Sequence, residues 1–312
     1  MKKIVSVIFS VYGFKPGREI KVICDSIRHQ SVPCEIILAE QSLHPNNDTI
    51  KFCDVNKIQY VHSLPNINKD KTYTFNPGRA RNAGLKRVVT KYIYFTDSDI
   101  FFEDKNYLKK LLSYVKTHPL TALIRPQIKR LSVKTTKKFL DDYEKNITIK
   151  YSSFVQNCYI DYNQKINSFS PTYKYERYSL IHNILHVTPN SKFKENRYNP
   201  NHFKEFQWSV LSHFGGLFCT KELFQSVGGY TEDYITWGME DTDIQWKFDN
   251  YSGVQLIDNI IGHSALIHFE HQRRCQNNDY TYNYKVFEKR KKMPFTKVLK
   301  HDISNLIGKE ND

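Results

Sequence analysis

Tyr92-Ile93-Tyr94-Phe95-Thr96-Asp97-Ser98-Asp99 decides the fold class of this 312-residue chain. Its first five residues are aromatic or β-branched, a run of strand length with no polar alternation, as in a strand covered on both faces. The run ends in two carboxylates separated by a single serine. Side chains two apart on a strand share a face, so Asp97 and Asp99 can project together from its carboxyl end. That end of an open α/β sheet is where ligands bind.

The surrounding sequence alternates strand and helix patterns, which predicts an α/β fold with a sheet flanked by helices. Upstream, Ile4 to Val11 is a nearly continuous apolar run, and residues 17–30 carry Ile20, Ile23, Cys24 and Ile27 at helical spacing. Glu35 to Glu40 reads as a second strand and Ile58 to Val61 as a third. Residues 79–89 read as a helix opened by Asn76-Pro77-Gly78, where a polar cap precedes a proline. Downstream, residues 125–207 are rich in Tyr, Asn and Lys and poor in alternating apolar runs. They read as an insertion, helical around residues 137–150, that serves acceptor binding or oligomerisation. Regular patterning returns at Gly215-Gly216, with strand-like pieces between Val254 and Phe269. One domain is therefore expected over residues 1–284, followed at 285–312 by a basic tail with an amphipathic stretch from Phe295 to Ile307.

A net charge of +14 implies an anionic partner, whether phosphate groups, an acidic membrane surface or nucleic acid, while the 21 Tyr and 20 Phe suit core packing first and stacking surfaces second. For the tail, basic residues around an amphipathic helix suit an anionic leaflet. No window of eighteen apolar residues marks a membrane span. Met1-Lys2-Lys3 and the apolar run after it imitate a signal peptide, but no small-residue cleavage site follows, so the run reads as a first strand. The six cysteines (24, 34, 53, 158, 219 and 275) lack metal-site spacing, which suggests free thiols and a cytoplasmic location.

Four motifs carry chemistry. Asp97 and Asp99 offer hard oxygen ligands to Mg²⁺ or Mn²⁺, ions that neutralise a diphosphate. Trp237-Gly238-Met239-Glu240-Asp241-Thr242-Asp243 packs three carboxylates beside a glycine and an indole. Helix capping accounts for one of these acids and leaves two, from which a general base can be drawn. His268-Phe269-Glu270-His271 closes an apolar strand with two imidazoles able to meet one ion. Phe75 to Gly84 places Arg79, Arg81 and Asn82 at the start of a helix, suited to phosphate or uracil.

Taken in this order, the motifs resemble the GT-A glycosyltransferases. The likeness is closest to the branch holding the β-1,4-galactosyltransferases and the bacterial family-2 enzymes that build capsules and chondroitin-like chains. Val5 to Tyr12 is similar to the family's first strand, which leads to the uridine pocket, and Glu40-Gln41 to the end of its second. Asn82-Ala83-Gly84 resembles the helix motif before the D-x-D strand, with Pro77-Gly78 as an insertion. Phe214-Gly215-Gly216, Gly228-Gly229-Tyr230 and Trp237-Gly238-Met239-Glu240-Asp241 follow the galactosyltransferase-type pattern, with Met239 replacing a usual glycine. The resemblance covers roughly residues 4–104 and 208–283.

This resemblance implies a GT-A, Rossmann-like nucleotide-sugar-binding sheet and an inverting transfer from a UDP-sugar to a glycan or lipid-linked glycan. It implies Asp241 as catalytic base, Mn²⁺ or Mg²⁺ on Asp99, His268 and His271, and nucleotide contacts from Ser10, Tyr12, Glu40, Arg79, Asn82, Asp97, Ser98 and Gly216. Trp237, Gly238, Glu240, His213 and Phe214 fall on the sugar and acceptor side. Galactose or N-acetylgalactosamine is the implied donor sugar, and bacterial surface polysaccharide or lipooligosaccharide the implied product. Two rivals compete with it. A sugar nucleotidyltransferase would also use paired aspartates, but it calls for a Gly-rich basic loop after the first strand, where Tyr12 to Arg18 is sparse. A basic nucleic-acid-binding protein accounts for the charge and leaves the acids idle, so no nucleic-acid partner is expected.

Overall fold

A computed structural model of the chain describes residues 2–12, 16–67, 73–131, 133–144, 175–181, 184–189, 208–258, 266–269 and 277–307. The first half runs β1 (Val5–Tyr12), α1 (Arg18–Arg28), β2 (Cys34–Gln41), α2 (Asn47–Val55), β3 (Gln59–Ser63), β4 (Asn66–Ile67), β5 (Tyr73–Thr74) and α3 (Pro77–Leu85). It continues with β6 (Tyr92–Asp97), β7 (Ile100–Phe102), α4 (Tyr107–Thr117), β8 (Thr121–Ile124), β9 (Gln127–Leu131) and α5 (Val133–Glu144). After the hairpin β10 (Tyr175–Ile181) and β11 (Ile184–Pro189) come β12 (Trp208–Ser212), β13 (Leu217–Thr220) and α6 (Lys221–Ser226). The last elements are α7 (Glu240–Asn250), β14 (Gln255–Asp258), β15 (Leu266–His268), α8 (Asn277–Lys291) and α9 (Phe295–Ile307).

Seven strands form the main sheet in the order β14-β8-β13-β6-β1-β2-β3. All its pairings are parallel except those of β13, which runs antiparallel to both β6 and β8. The expected mixed α/β sheet flanked by helices is what the chain adopts. β1 lies between β2 and the central strand β6, and its apolar run is covered on both faces. On one face Val5, Val7 and Phe9 join Leu38, Tyr94 and the buried stripe of α1. On the other, Ile8, Ile37, Phe95 and Leu217 pack against Leu85, Phe224, Ile244 and Phe248. Gly84 brings α3 close to the sheet: a Cβ there would stand 2.7 Å from a methyl of Ile8.

A second sheet, β12-β9-β15-β7, was not anticipated by the sequence. β15 is the apolar strand expected before His268, but β7, β9 and β12 have only three to five residues, too short for alternation to mark them. β9 and α5 lie within the stretch 125–207 and pack on the body: Phe139 and Leu140 join the core beside Phe101, and Arg18 pairs with Asp141 at 2.6 Å.

The tail helix also belongs to the body. α9 has the bounds expected from its amphipathic pattern, and its Val298, Asp302 and Leu306 are buried against the domain. No helix among the described residues is long and apolar enough to cross a membrane. Cys24, Cys34, Cys53 and Cys219 are free thiols, and burial pushes the first three up to about 12.

Candidate active site

The carboxyl end of β6 organises the site. The strand stops at Asp97, so Ser98 and Asp99 form a tight turn into β7 instead of extending the strand. The two carboxylates consequently part company. Asp97 faces the main sheet beside Ser10, its register partner on β1. Asp99 reaches the second sheet, where its carbonyl accepts the N–H of Phe269 at 2.9 Å and its Oδ2 lies 3.2 Å from His268 Nε2.

Between Asp97 and the helix α7 stands Arg81. Its side chain is 2% exposed; Nη2 donates to Asp97 Oδ1 at 2.7 Å and Nη1 to Asp241 Oδ1 at 2.8 Å. The guanidinium also lies over the Tyr230 ring, 5.1 Å from its centroid. Burial opposes its charge, but Asp241, Tyr230 and Asp97 together hold it well above the ordinary arginine range. The sequence suits Arg81 to phosphate or uracil; that it bridges two carboxylates instead is what the structure adds. The available signal was its spacing, since it lies three residues from Gly78 and from Gly84 on a helix buried nearly all round.

Gly215 makes room for this bridge. A Cβ there would stand 2.9 Å from Arg81 Nη2, 3.1 Å from Asp97 Oδ1 and 3.1 Å from His213 Cε1. Gly216, the glycine expected at the nucleotide, faces Pro126. His213 is buried with its Nε2 3.7 Å from Asp97 Oδ2, and that nitrogen makes no hydrogen bond among the described residues. Burial lowers its pKa despite Asp97, Asp99 and Asp241 nearby, which makes it a neutral imidazole at pH 7.

Glu240 and Asp241 open α7. Burial pushes Glu240 up to about 8, and Asp241 beside it adds to the rise; its Oε2 accepts the N–H of Gly238 at 2.7 Å. Burial likewise raises Asp241, with Arg81 pulling the other way and Asp97 reinforcing the rise. The turn before them is strained: Thr236, Gly238 and Met239 have φ of 52°, 117° and 72°. That angle accounts for the glycine usual at position 239, because methionine in the left-handed region carries a steric cost.

Other expected residues take different posts. Asn82 spends its amide on structure: Nδ2 donates to the Tyr230 carbonyl at 2.7 Å and Oδ1 accepts the Tyr230 N–H at 3.0 Å. Arg79 lies 3.6 Å from Glu232. Glu40 is buried on the Phe9 and Leu38 side of the sheet, where it accepts the Tyr60 hydroxyl at 2.6 Å. Its neighbour Gln41 faces the α3 side and accepts the N–H of Asn76. Tyr12 is exposed and stacks on Phe75, centroids 5.4 Å apart. Phe214 and Trp237 are exposed at the rim, and Ser98 is half-buried in the turn. His271 lies outside the described residues.

Against known proteins, residues 10–256 match the model described as "Glycosyltransferase like family 2". The chain belongs to this glycosyltransferase family. No curated protein sequence matches it. Among solved structures, S. aureus TarS residues 1–349 with UDP-GlcNAc gives a TM-score of 0.51 at 13% identity, covering 97% of this chain and 71% of that one. This likeness shows a shared GT-A fold. Longer S. aureus TarS gives 0.46 at 12% identity over 98% of this chain, which spans only 44% of that protein's length. The Pyrobaculum calidifontis mannosyltransferase PcManGT, with GDP-Man and Mn²⁺, gives 0.45 at 13% identity over 98% of this chain and 70% of that one.

Proposed function

We propose that this family-2-like glycosyltransferase performs an inverting sugar transfer from a UDP-sugar to a glycan hydroxyl, with Asp241 as the base. One observation carries the reading: through Arg81, a single buried guanidinium ties Asp241 to Asp97 at the end of β6. The reactive carboxylate and the nucleotide end of the sheet are thereby held in one constellation. Asp241 takes the acceptor proton, and its raised pKa makes it a stronger base than a solvated carboxylate. Arg81 keeps Asp241 oriented and compensates the charge of Asp97. Glu240, with one oxygen on the Gly238 N–H, offers the other to sugar hydroxyls. Tyr12 on Phe75 offers a stacking face for the base, and exposed Trp237 one for a sugar ring.

The carboxylate of Asp99 and the imidazole of His268 converge at 3.2 Å, a donor pair suited to Mn²⁺ or Mg²⁺. Asp99 and His268, with His271 as the further ligand, would hold the ion, which supplies charge neutralisation for a diphosphate. Asp97 is engaged by Arg81 and is left out of this set. No group of three or more such ligands is found among the described residues.

Galactose or N-acetylgalactosamine is the proposed donor sugar, and a bacterial surface polysaccharide or lipooligosaccharide the product. The TarS structure, described with UDP-GlcNAc, adds N-acetylglucosamine to the sugars worth testing. A panel of UDP-sugars incubated with Mn²⁺ tests the reading: UDP release from one of them is expected, and release from none would overturn it. For location we propose the cytoplasm, with an electrostatic contact to an anionic leaflet. Exposed Lys285, Lys289 and Lys291 line α8, while the apolar side of α9 is already buried in the domain. Flotation with anionic vesicles should therefore be abolished by salt; flotation that persists at high salt would point to insertion instead.

A further inference from the structure

α8 begins at Asn277, beyond the matched segment that ends at residue 256. Its buried stripe is Asn283, Phe287 and Arg290, two polar residues two helical turns apart with an aromatic between them. Both polar residues reach toward the acid-bearing element. The Asn283 side chain is 0% exposed and takes hold of the turn before α7: Oδ1 accepts the Ile235 N–H at 3.0 Å, and Nδ2 donates to the carbonyls of Ile235 and Gly238 at 2.7 and 3.0 Å. Arg290 lies 3.1 Å from Asp243 and 2.7 Å from Asp302, within a buried network that also includes Lys247. Tyr280 lies over the same turn, where a Cβ on Gly238 would stand 3.2 Å from its ring.

The turn so gripped needs a grip. Left-handed φ at Thr236, Gly238 and Met239 survives only where the surroundings over-determine it. The Gly238 N–H in turn fixes Glu240, the residue next to Asp241. On the proposed function, we infer that Asn283 is a positioning residue: its amide holds the 235–238 turn and so sets the approach of Trp237, Glu240 and Asp241 to the acceptor. Among the described residues this amide makes no hydrogen bond to β1, β6 or α3, the donor side.

The experiment compares Asn283→Ala with Phe287→Leu in the full chain. Phe287 packs edge-on against Trp246, at 6.2 Å, one turn further along the helix. Readouts are UDP release from the UDP-sugar panel, UDP affinity, amide exchange at Ile235 and melting temperature. Asn283→Ala should lower kcat by about tenfold or more with UDP affinity unchanged, the signature of misplaced groups. It should also speed Ile235 exchange by about tenfold or more. Phe287→Leu should lower the melting temperature and retain kcat and Ile235 protection. Wild-type kcat in Asn283→Ala, an equal loss of kcat in both variants, or a parallel loss of UDP affinity would overturn the assignment. If the unmodified chain releases no UDP from any donor, the functional reading fails by itself. Exchange at Ile235 then decides the clamp: faster exchange supports it and unchanged exchange refutes it.

Discussion

Replacing Arg81 by methionine keeps most of the side chain's length and removes its charge. Asp241, whose side chain is 14% exposed, then loses its partner in a buried setting, and breaking such a pair costs about 3–5 kcal/mol. Asp97 is 38% exposed and rehydrates, so its loss adds only about 0.5 kcal/mol after solvent screening. The lost guanidinium contact over Tyr230, at 5.1 Å, adds about 1 kcal/mol. A total near 5 kcal/mol is of the order of a whole domain's stability, so the double variant Arg81→Met/Asp241→Asn is the informative one. With a neutral amide in place of the stranded carboxylate, it should recover about 2–3 kcal/mol relative to Arg81→Met. Urea unfolding followed by intrinsic fluorescence measures both. The cost of Arg81→Met should also shrink toward pH 5, because the stranded carboxylate can take up a proton. A cost below about 1 kcal/mol at neutral pH, or no recovery in the double variant, would refute the claim that one guanidinium joins the two acids.

Glu240 has a folded pKa of about 8 against a usual 4.5, so its contribution to stability is complete below about 4.5 and lost as pH rises through about 8. Glu240→Gln should flatten this slope, seen as a smaller fall in melting temperature from about pH 5 to about pH 8.5; an unchanged slope would contradict the burial argument. His268→Ala should abolish the gain in UDP affinity that Mn²⁺ provides, as titration calorimetry with and without the ion would show. A preserved gain would move the ion elsewhere.

The part of the main sheet built on β1, β2 and β6 was legible because those strands have six to eight residues and are apolar, whereas β8 and β13, of four residues each, carry no such run. β1, α1, β2 and the Asn76-capped α3 follow directly from those patterns; the Asn76 side chain accepts the Arg79 N–H at 2.9 Å. Of the second sheet only β15 was legible, as the apolar strand that His268 closes; β7, β9 and β12 have three to five residues each and show no marking alternation. α8 escaped for another reason: its buried stripe carries Asn283 and Arg290, so apolar periodicity is lost where polar groups are bonded inside. Within the site, Asp241, Glu240, Asp99 and His268 stand out in sequence as acids and imidazoles in clusters, and His213 only through the family resemblance. Arg81 and Gly215 do not, since their roles depend on a close approach between segments far apart in the chain. Asn82 and Glu40 have the chemistry of ligand contacts, but their polar atoms are committed to the Tyr230 backbone and the Tyr60 hydroxyl.

The measurement that bears most directly on the central claim is UDP release from the active donor, run on the unmodified chain and on Asp241→Asn, with UDP affinity measured on both. The account predicts UDP as the product, turnover abolished in Asp241→Asn, and UDP affinity close to that of the unmodified chain. Pyrophosphate as the product, or near-normal turnover in the variant, would contradict it.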